Sequence, residues 1–179
     1  MTLDVLAVEA FTEGRLNRDD AETQRQLDAA LAAARGYCGW HVTPVVTGAQ
    51  VTVDGTGGAL LALPTLALSA VTAVVEDGVE LDVDTLEWSL RGLVRKPYGQ
   101  LWTTRFSGVT ATITHGYASV PDFESAVLSA IERGTFAAGG GETPRVIGPF
   151  QYGSATSAGA LFTDPERAVL DRYALERMP

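Results

Sequence analysis

The chain has 179 residues, 46% of them hydrophobic and 20% charged, which suits one folded domain or two small ones and excludes a disordered chain. Its 22 acidic and 13 basic residues give a formal net charge of −9, which argues against a reader of nucleic acid, since phosphate binding needs a basic face. The single cysteine, Cys38, excludes an internal disulfide and suits a reducing cytoplasm.

Residues 1–36 read as helical. Leu3, Leu6 and Ala10 recur at helical spacing, with Phe11 beside them, before Gly14 interrupts. No signal peptide is expected, because Asp4 and Glu9 break the apolar residues and no basic stretch precedes them. Asp19 and Asp20 can cap a second helix from Ala21 to Arg35, with Leu27, Leu31 and Ala34 on one face and Gly36 as its stop.

From 41 to 117 the apolar period changes to two. Val51 and Val53, then Val71, Ala73 and Val75, alternate with small or polar residues. No charge falls between Asp54 and Glu76. Pro64, the interspersed Ser and Thr residues, and the lack of a basic flank make this stretch two buried strands around a turn, not a membrane span. Asp77-Gly78 marks a tight hairpin. Leu86, Trp88 and Leu90 are expected to face one way, and Arg91-Gly92 to turn the chain. Val109, Ala111 and Ile113 alternate with threonines. Six or seven short strands are enough for a small sandwich or barrel-like sheet.

A third helix follows near 121–136, opened by Val120-Pro121, with Phe123, Val127, Ala130, Ile131 and Gly134 along one face. The fold class is therefore α+β: a small helical bundle (1–36 and 119–138), an inserted antiparallel β block (41–117) and an extended C-terminal arm (139–179). Within the arm an aromatic strand around Phe150 and Tyr152 precedes a small-residue spacer and a short helix. Thr163 can cap that helix, with Glu166 completing a capping box. A helix this short is marginal alone in water, so it orders only when docked, on a partner or on its own body.

Residues for catalysis are sparse, and no catalytic, cofactor or metal site is expected. Cys38 and His41 have a zinc-like spacing, but His115 is the only other histidine and there is no second cysteine. No known signature surrounds Cys38 as a nucleophile. Gly55-Thr56-Gly57-Gly58 leads into an apolar β-like run, so it is a turn and not a phosphate cradle. Glu76, Asp77, Glu80, Asp82, Asp84 and Glu87 lack calcium-loop spacing. Arg91, Arg95, Lys96 and Arg105 follow them without an intervening acid. The acidic and basic stretches are either two solvated faces or complementary surfaces between copies, with Glu80, Asp82, Asp84, Arg91 and Arg95 as the inter-subunit candidates.

Taken in order, Gly39-Trp40-His41-Val42-Thr43-Pro44-Val45, Leu61-Ala62-Leu63-Pro64, Asp77-Gly78-Val79, the stretch Val109 to Tyr117, Gly148-Pro149-Phe150 and the stretch Leu161 to Arg167 resemble the head-to-tail adaptor (connector) proteins of long-tailed bacteriophages. The resemblance implies a structural protein without catalysis or cofactor. It implies a dodecameric ring of copies under the portal, assembled in the host cytoplasm and placed in the virion neck. The portal protein lies on one side, stopper or tail-end proteins on the other, and duplex DNA passes through. It also implies portal docking by the C-terminal segment, for which Phe150, Tyr152, Leu161, Phe162, Val169, Leu170 and Tyr173 are the apolar candidates. The acids Asp19, Asp20, Glu22 and Asp28 are expected to line the channel, where negative charge lets DNA slide. Competing readings are a stopper or tail-completion protein, or a monomeric β-sandwich glycan binder using aromatics such as Trp88 or Trp102.

Overall fold

The structure is a computed structural model and describes residues 3–138, 145–147, 150–152 and 161–175. In chain order the elements are α1 (Val5–Phe11), α2 (Ala21–Cys38), β1 (Val46–Val53), β2 (Leu60–Ala62), β3 (Leu68–Glu76), β4 (Val79–Leu81), β5 (Glu87–Trp88), β6 (Leu93–Arg95), β7 (Val109–His115), α3 (Pro121–Ala138), β8 (Arg145–Ile147), β9 (Phe150–Tyr152) and α4 (Asp164–Leu170). They divide into two compact units, residues 1–37 with 121–172 and residues 38–120 with 173–179.

In the helical unit, Asp4 caps α1 by accepting the Ala7 N–H at 2.9 Å. The Asp20 carboxylate accepts the Glu22 N–H at 3.0 Å at the start of α2. The buried stripe of α2 is Thr23, Leu27, Ala30 and Ala34, while Leu31 is only half-buried. The helix also runs past its expected stop at Gly36 and ends at Cys38. Gly39 takes the left-handed conformation there, with φ of 78°, which is the backbone geometry a helix terminus demands and a side chain resists. On α3, Phe123, Val127, Ala130 and Ile131 are buried as the periodicity predicts, while Gly134, expected on the same face, is exposed. Helices α1 and α4 each pack on α3. β8 and β9 pair with each other.

The β unit holds two antiparallel sheets, ordered β1-β7-β3-β4 and β2-β6-β5. Their inward faces share one core. Leu68, Val74, Val109, Ala111 and Ile113 come from the first sheet and Leu61 and Val94 from the second, with Leu63, Leu86 and Trp102 filling the space between. Register explains the two faces. Val51, Ala111 and Val74 align as an inward row, and Thr52, Thr110 and Val75 align as the next, outward row. In the second sheet Leu61 opposes Val94 inward, while Leu60 opposes Arg95 and Ala62 opposes Leu93 outward.

The Asp77-Gly78 turn has φ of 50° and 84°, the two positive values that suit the twist of a two-residue hairpin. The uncharged run becomes β2, a connection and most of β3. Among the described residues no helix is long and apolar enough to cross a membrane. The glycine-rich stretch 55–58 serves close approach: a Cβ on Gly55 would lie 2.1 Å from the Thr103 carbonyl oxygen. One expected face does not form. Leu86 is buried, but Trp88 and Leu90 are exposed. β5 is only the two residues Glu87–Trp88, and the Ser89–Gly92 turn, closed by the Gly92 N–H on the Ser89 carbonyl at 3.0 Å, takes Leu90 out of the strand.

A largely buried ion pair helps fix the long connection from β6 to β7. Lys96 bonds the Glu76 carboxylate at the end of β3, donates to the Leu101 carbonyl at 3.0 Å and lies 4.7 Å from the centre of the Trp102 ring. Glu76 also accepts the Thr103 N–H at 2.7 Å. Lys96→Met is expected to cost about 3 kcal/mol, because it strands a buried carboxylate. The double variant Lys96→Met, Glu76→Gln is expected to recover most of that loss. Urea unfolding of both variants checks this, and equal destabilisation by the two would contradict it.

Candidate functional site

The arm residues proposed to dock divide by burial. Phe162 is 5% exposed and Leu170 fully buried, within the helical unit of their own chain. Val169 and Tyr173 are half-buried and Leu161 is exposed. The side chains of Phe150 and Tyr152 lie outside the described residues. Helix α4 is held on α3 by Arg133, which donates to Glu166 at 3.0 and 2.7 Å and to the Leu161 carbonyl at 3.0 Å. Glu166 in turn accepts the Thr163 N–H at 2.7 Å, the reciprocal bond of the expected capping box. The Tyr37 hydroxyl donates to Asp171 at 2.6 Å, and Arg172 pairs with Asp122 at 3.5 Å. The short helix is thus ordered by docking on its own body. Removing it would take Phe162 and Leu170 out of a core, so the truncated body would be a weakened one.

The acidic and basic stretches of the β block close largely on each other within one chain. Arg95 bonds Glu87 at 2.5 and 2.9 Å, Lys96 bonds Glu76, and Arg105 lies 3.6 Å from Asp77. Asp82 is occupied as a cap. Glu80, Asp84 and Arg91 are exposed and in no ion pair among the described residues. Sequence order set the two charge blocks apart, but the antiparallel β5–β6 pairing brings Glu87 opposite Arg95.

The acids of α2 are solvent-facing, and several have local partners. Glu22 is engaged by Arg25 and Gln26, which hold its carboxyl down to about 2. Asp28 accepts from Gln24 at 2.8 Å. Asp20 caps the helix, and Asp19 is exposed beside it.

Cys38 is buried. The two histidine rings lie 5.8 Å apart in an aromatic cluster with Trp40 and Tyr117, and the Tyr173 ring meets Tyr117 edge-on. Burial, then the neighbouring charge of His41, pushes the His115 imidazole below its usual value. The cluster ties down the chain end: Trp40 donates its indole N–H to the Tyr173 carbonyl at 2.6 Å, and the Leu175 N–H bonds the Cys38 carbonyl at 2.8 Å. Among the described residues no three His, Cys, Asp or Glu side chains are placed to hold a metal. Trp102 is buried, which removes it as a glycan-stacking platform.

Sequence reading passed over the most exposed apolar side chains. Tyr98 is 99% exposed and Phe106 is 88% exposed. The signal was an aromatic residue set among turn formers, Pro97-Tyr98-Gly99 and Arg105-Phe106-Ser107-Gly108. On the second sheet Leu60, Leu93 and Trp88 line an open hollow of about 240 Å³ with Glu87, Ser89 and Arg95.

No family model matches the chain, and no curated protein matches it. Solved structures do. A chain from the neck of a native GTA (gene transfer agent) particle, computed with C12 symmetry, superposes with a TM-score of 0.60 at 18% identity, covering 100% of this chain and 94% of that one. A chain from the neck of an empty GTA particle, computed with C6 symmetry, gives 0.59 at 19% identity over 98% and 90%. The α+β architecture with its inserted β block is therefore the fold of these neck chains.

Burial pushes the Glu166 carboxyl up, but Arg133 and the Thr163 bonds outweigh it and leave it below the usual 4.5. Since the folded value is the lower one, this contribution is complete above the ordinary glutamate range and fades as pH falls through the folded value. Glu166→Gln is expected to flatten that acid dependence in the helical unit. Leu170→Ala is expected to cost about 2–4 kcal/mol at neutral pH. Denaturant melts across pH 3–7 read both effects, and an unchanged acid limb in Glu166→Gln would refute the first.

Proposed function

We propose that this chain is a structural head-to-tail adaptor. Copies of it form a ring beneath the portal of a phage-like particle, and the ring joins the DNA-filled head to the stopper or tail while DNA passes through its channel. The observation that carries this reading is the fold likeness to neck chains over essentially the whole length of both partners. The C12 and C6 symmetries of those necks support a ring of copies, and the C12 neck favours twelve. The reading requires no catalytic step. Exposed Leu161 and half-buried Val169, with Phe150 and Tyr152, are the portal contacts we propose; Phe162 and Leu170 act as the anchors that fix α4. Asp19, Asp20 and Asp28 are proposed channel residues, and Glu22, neutralised by Arg25, contributes less.

Mass photometry of the purified chain, alone and with the portal protein of the same particle, tests this directly. A discrete complex with one adaptor per portal subunit is expected. Absence of any complex at micromolar concentration would refute the assignment. The chain is also expected to bind duplex DNA negligibly at near-physiological salt, since its 22 acids exceed its 13 bases and duplex affinity comes mainly from cations that displace counterions. An anisotropy titration showing tight, salt-sensitive binding would contradict that.

A further inference from the structure

We propose that Phe106 of one copy seats in the Leu60–Trp88–Leu93 hollow of the next copy, so that the β unit carries both halves of a head-to-tail contact. The proposal rests on the ring reading above and names its contact.

Phe106 is a built feature. The residue after it, Ser107, holds φ of 51°, a left-handed conformation that costs a non-glycine residue energy and persists only where the surroundings impose it. Four hydrogen bonds impose it. Asp54 accepts the Ser107 N–H at 2.6 Å, the Arg105 carbonyl accepts the Gly55 and Gly108 N–H groups at 2.9 and 3.2 Å, and the Gly108 carbonyl accepts the Asp77 N–H at 2.8 Å. The outcome is a rigid turn that presents a phenyl ring to water, although the chain has a well-filled core nearby. An aromatic side chain already fixed in place loses little entropy on docking and makes a strong anchor.

The acceptor lies on the other face of the same sandwich. Phe106 borders a hollow with Val75 and Thr110, which belong to the outward row of the β1-β7-β3-β4 sheet. Leu60 and Leu93 belong to the outward rows of the β2-β6-β5 sheet. The inward faces of both sheets share the core, so knob and hollow point in opposite directions. Two complementary patches on opposite faces repeat from copy to copy as a heterologous contact, which is what closes a ring; a self-complementary patch gives only a twofold dimer. At about 240 Å³ the hollow is large enough, since an apolar cavity of roughly 150 Å³ takes up benzene.

Charge agrees with this pairing. Arg105 and Asp77 flank the knob, and Glu87 and Arg95 flank the hollow, all with exposed or partly exposed side chains. Each pair is already closed within its own chain, so the two faces meet as neutral pairs and charge does not oppose docking. Such rim pairs add little affinity, so the contact should survive added salt.

The test uses two full-length variants, Phe106→Cys and Leu93→Cys, with buried Cys38 left in place and a short bismaleimide linker. The proposal expects a covalent dimer when the two variants are mixed, and none from either alone. It also expects Phe106→Asp to weaken self-association at least about tenfold with an unchanged melting temperature. If sedimentation shows the chain oligomeric while the mixture does not cross-link, or each variant links to itself equally well, this contact is overturned and the ring reading stands. If the chain stays monomeric at every concentration and on the portal, both fall.

Discussion

The β unit depends on one buried charge. Lys96 is the only lysine among the 13 basic residues, and it occupies a site that suits an ammonium better than a guanidinium. Its donors are compact and can separate, one to the Glu76 carboxylate and one to the Leu101 carbonyl, with the cation against the Trp102 face. Glu76 spends its other oxygen on the Thr103 N–H. A buried pair adds little net stability, because desolvation nearly cancels its Coulomb attraction. What it does here is specify a path. In the long excursion between β6 and β7, the ion pair ties its start and the Thr103 N–H its middle to Glu76 at the end of β3, and backbone bonds to Gly55, Gly57 and Gly58 hold residues 102–105. Trp102 can then fill the core, and the next residues enter the turn that carries Phe106.

The helical unit solves a similar problem at α4. A seven-residue helix cannot hold itself together in water, and its apolar side chains are few. Arg133 satisfies both the Glu166 carboxylate and the Leu161 carbonyl, while Phe162 and Leu170 supply burial. The polar contacts orient the helix and the apolar ones hold it. This arrangement leaves Leu161 outside, next to a helix whose position is already settled, as an interaction surface should be.

Local signals predicted local structure well. The alternation Val109, Ala111, Ile113, the Asp77-Gly78 turn, the α3 stripe and the capping residues of α4 all follow from periods and turn chemistry that span a few residues. What failed was longer in range or decided by one dihedral. Gly36 looked like a helix stop, yet only Gly39 adopts the left-handed geometry. Leu86, Trp88 and Leu90 read as one face, yet β5 spans only Glu87–Trp88 and Leu90 falls in the turn that follows. The arm reads as docking on a partner or on its own body, because nothing in the local sequence reveals that Arg133, on another helix, reaches Glu166. The charge blocks read either as two solvated faces or as complementary surfaces between copies, because linear order hides an antiparallel register that sets Glu87 against Arg95.

That last point bears on how copies of this chain can recognise one another. Once Arg95, Lys96 and Arg105 are each matched inside the chain, little long-range attraction remains between β units, and a surplus of negative charge repels them. Association must then come from short-range contact, where shape and apolar burial act and screening by salt is secondary. The same surplus discourages a grip on DNA. In the proposed ring, holding neighbours and letting DNA pass are two tasks that this chain would separate. Apolar anchors on a rigid sandwich can do the holding, and uncompensated carboxylates elsewhere can do the repelling.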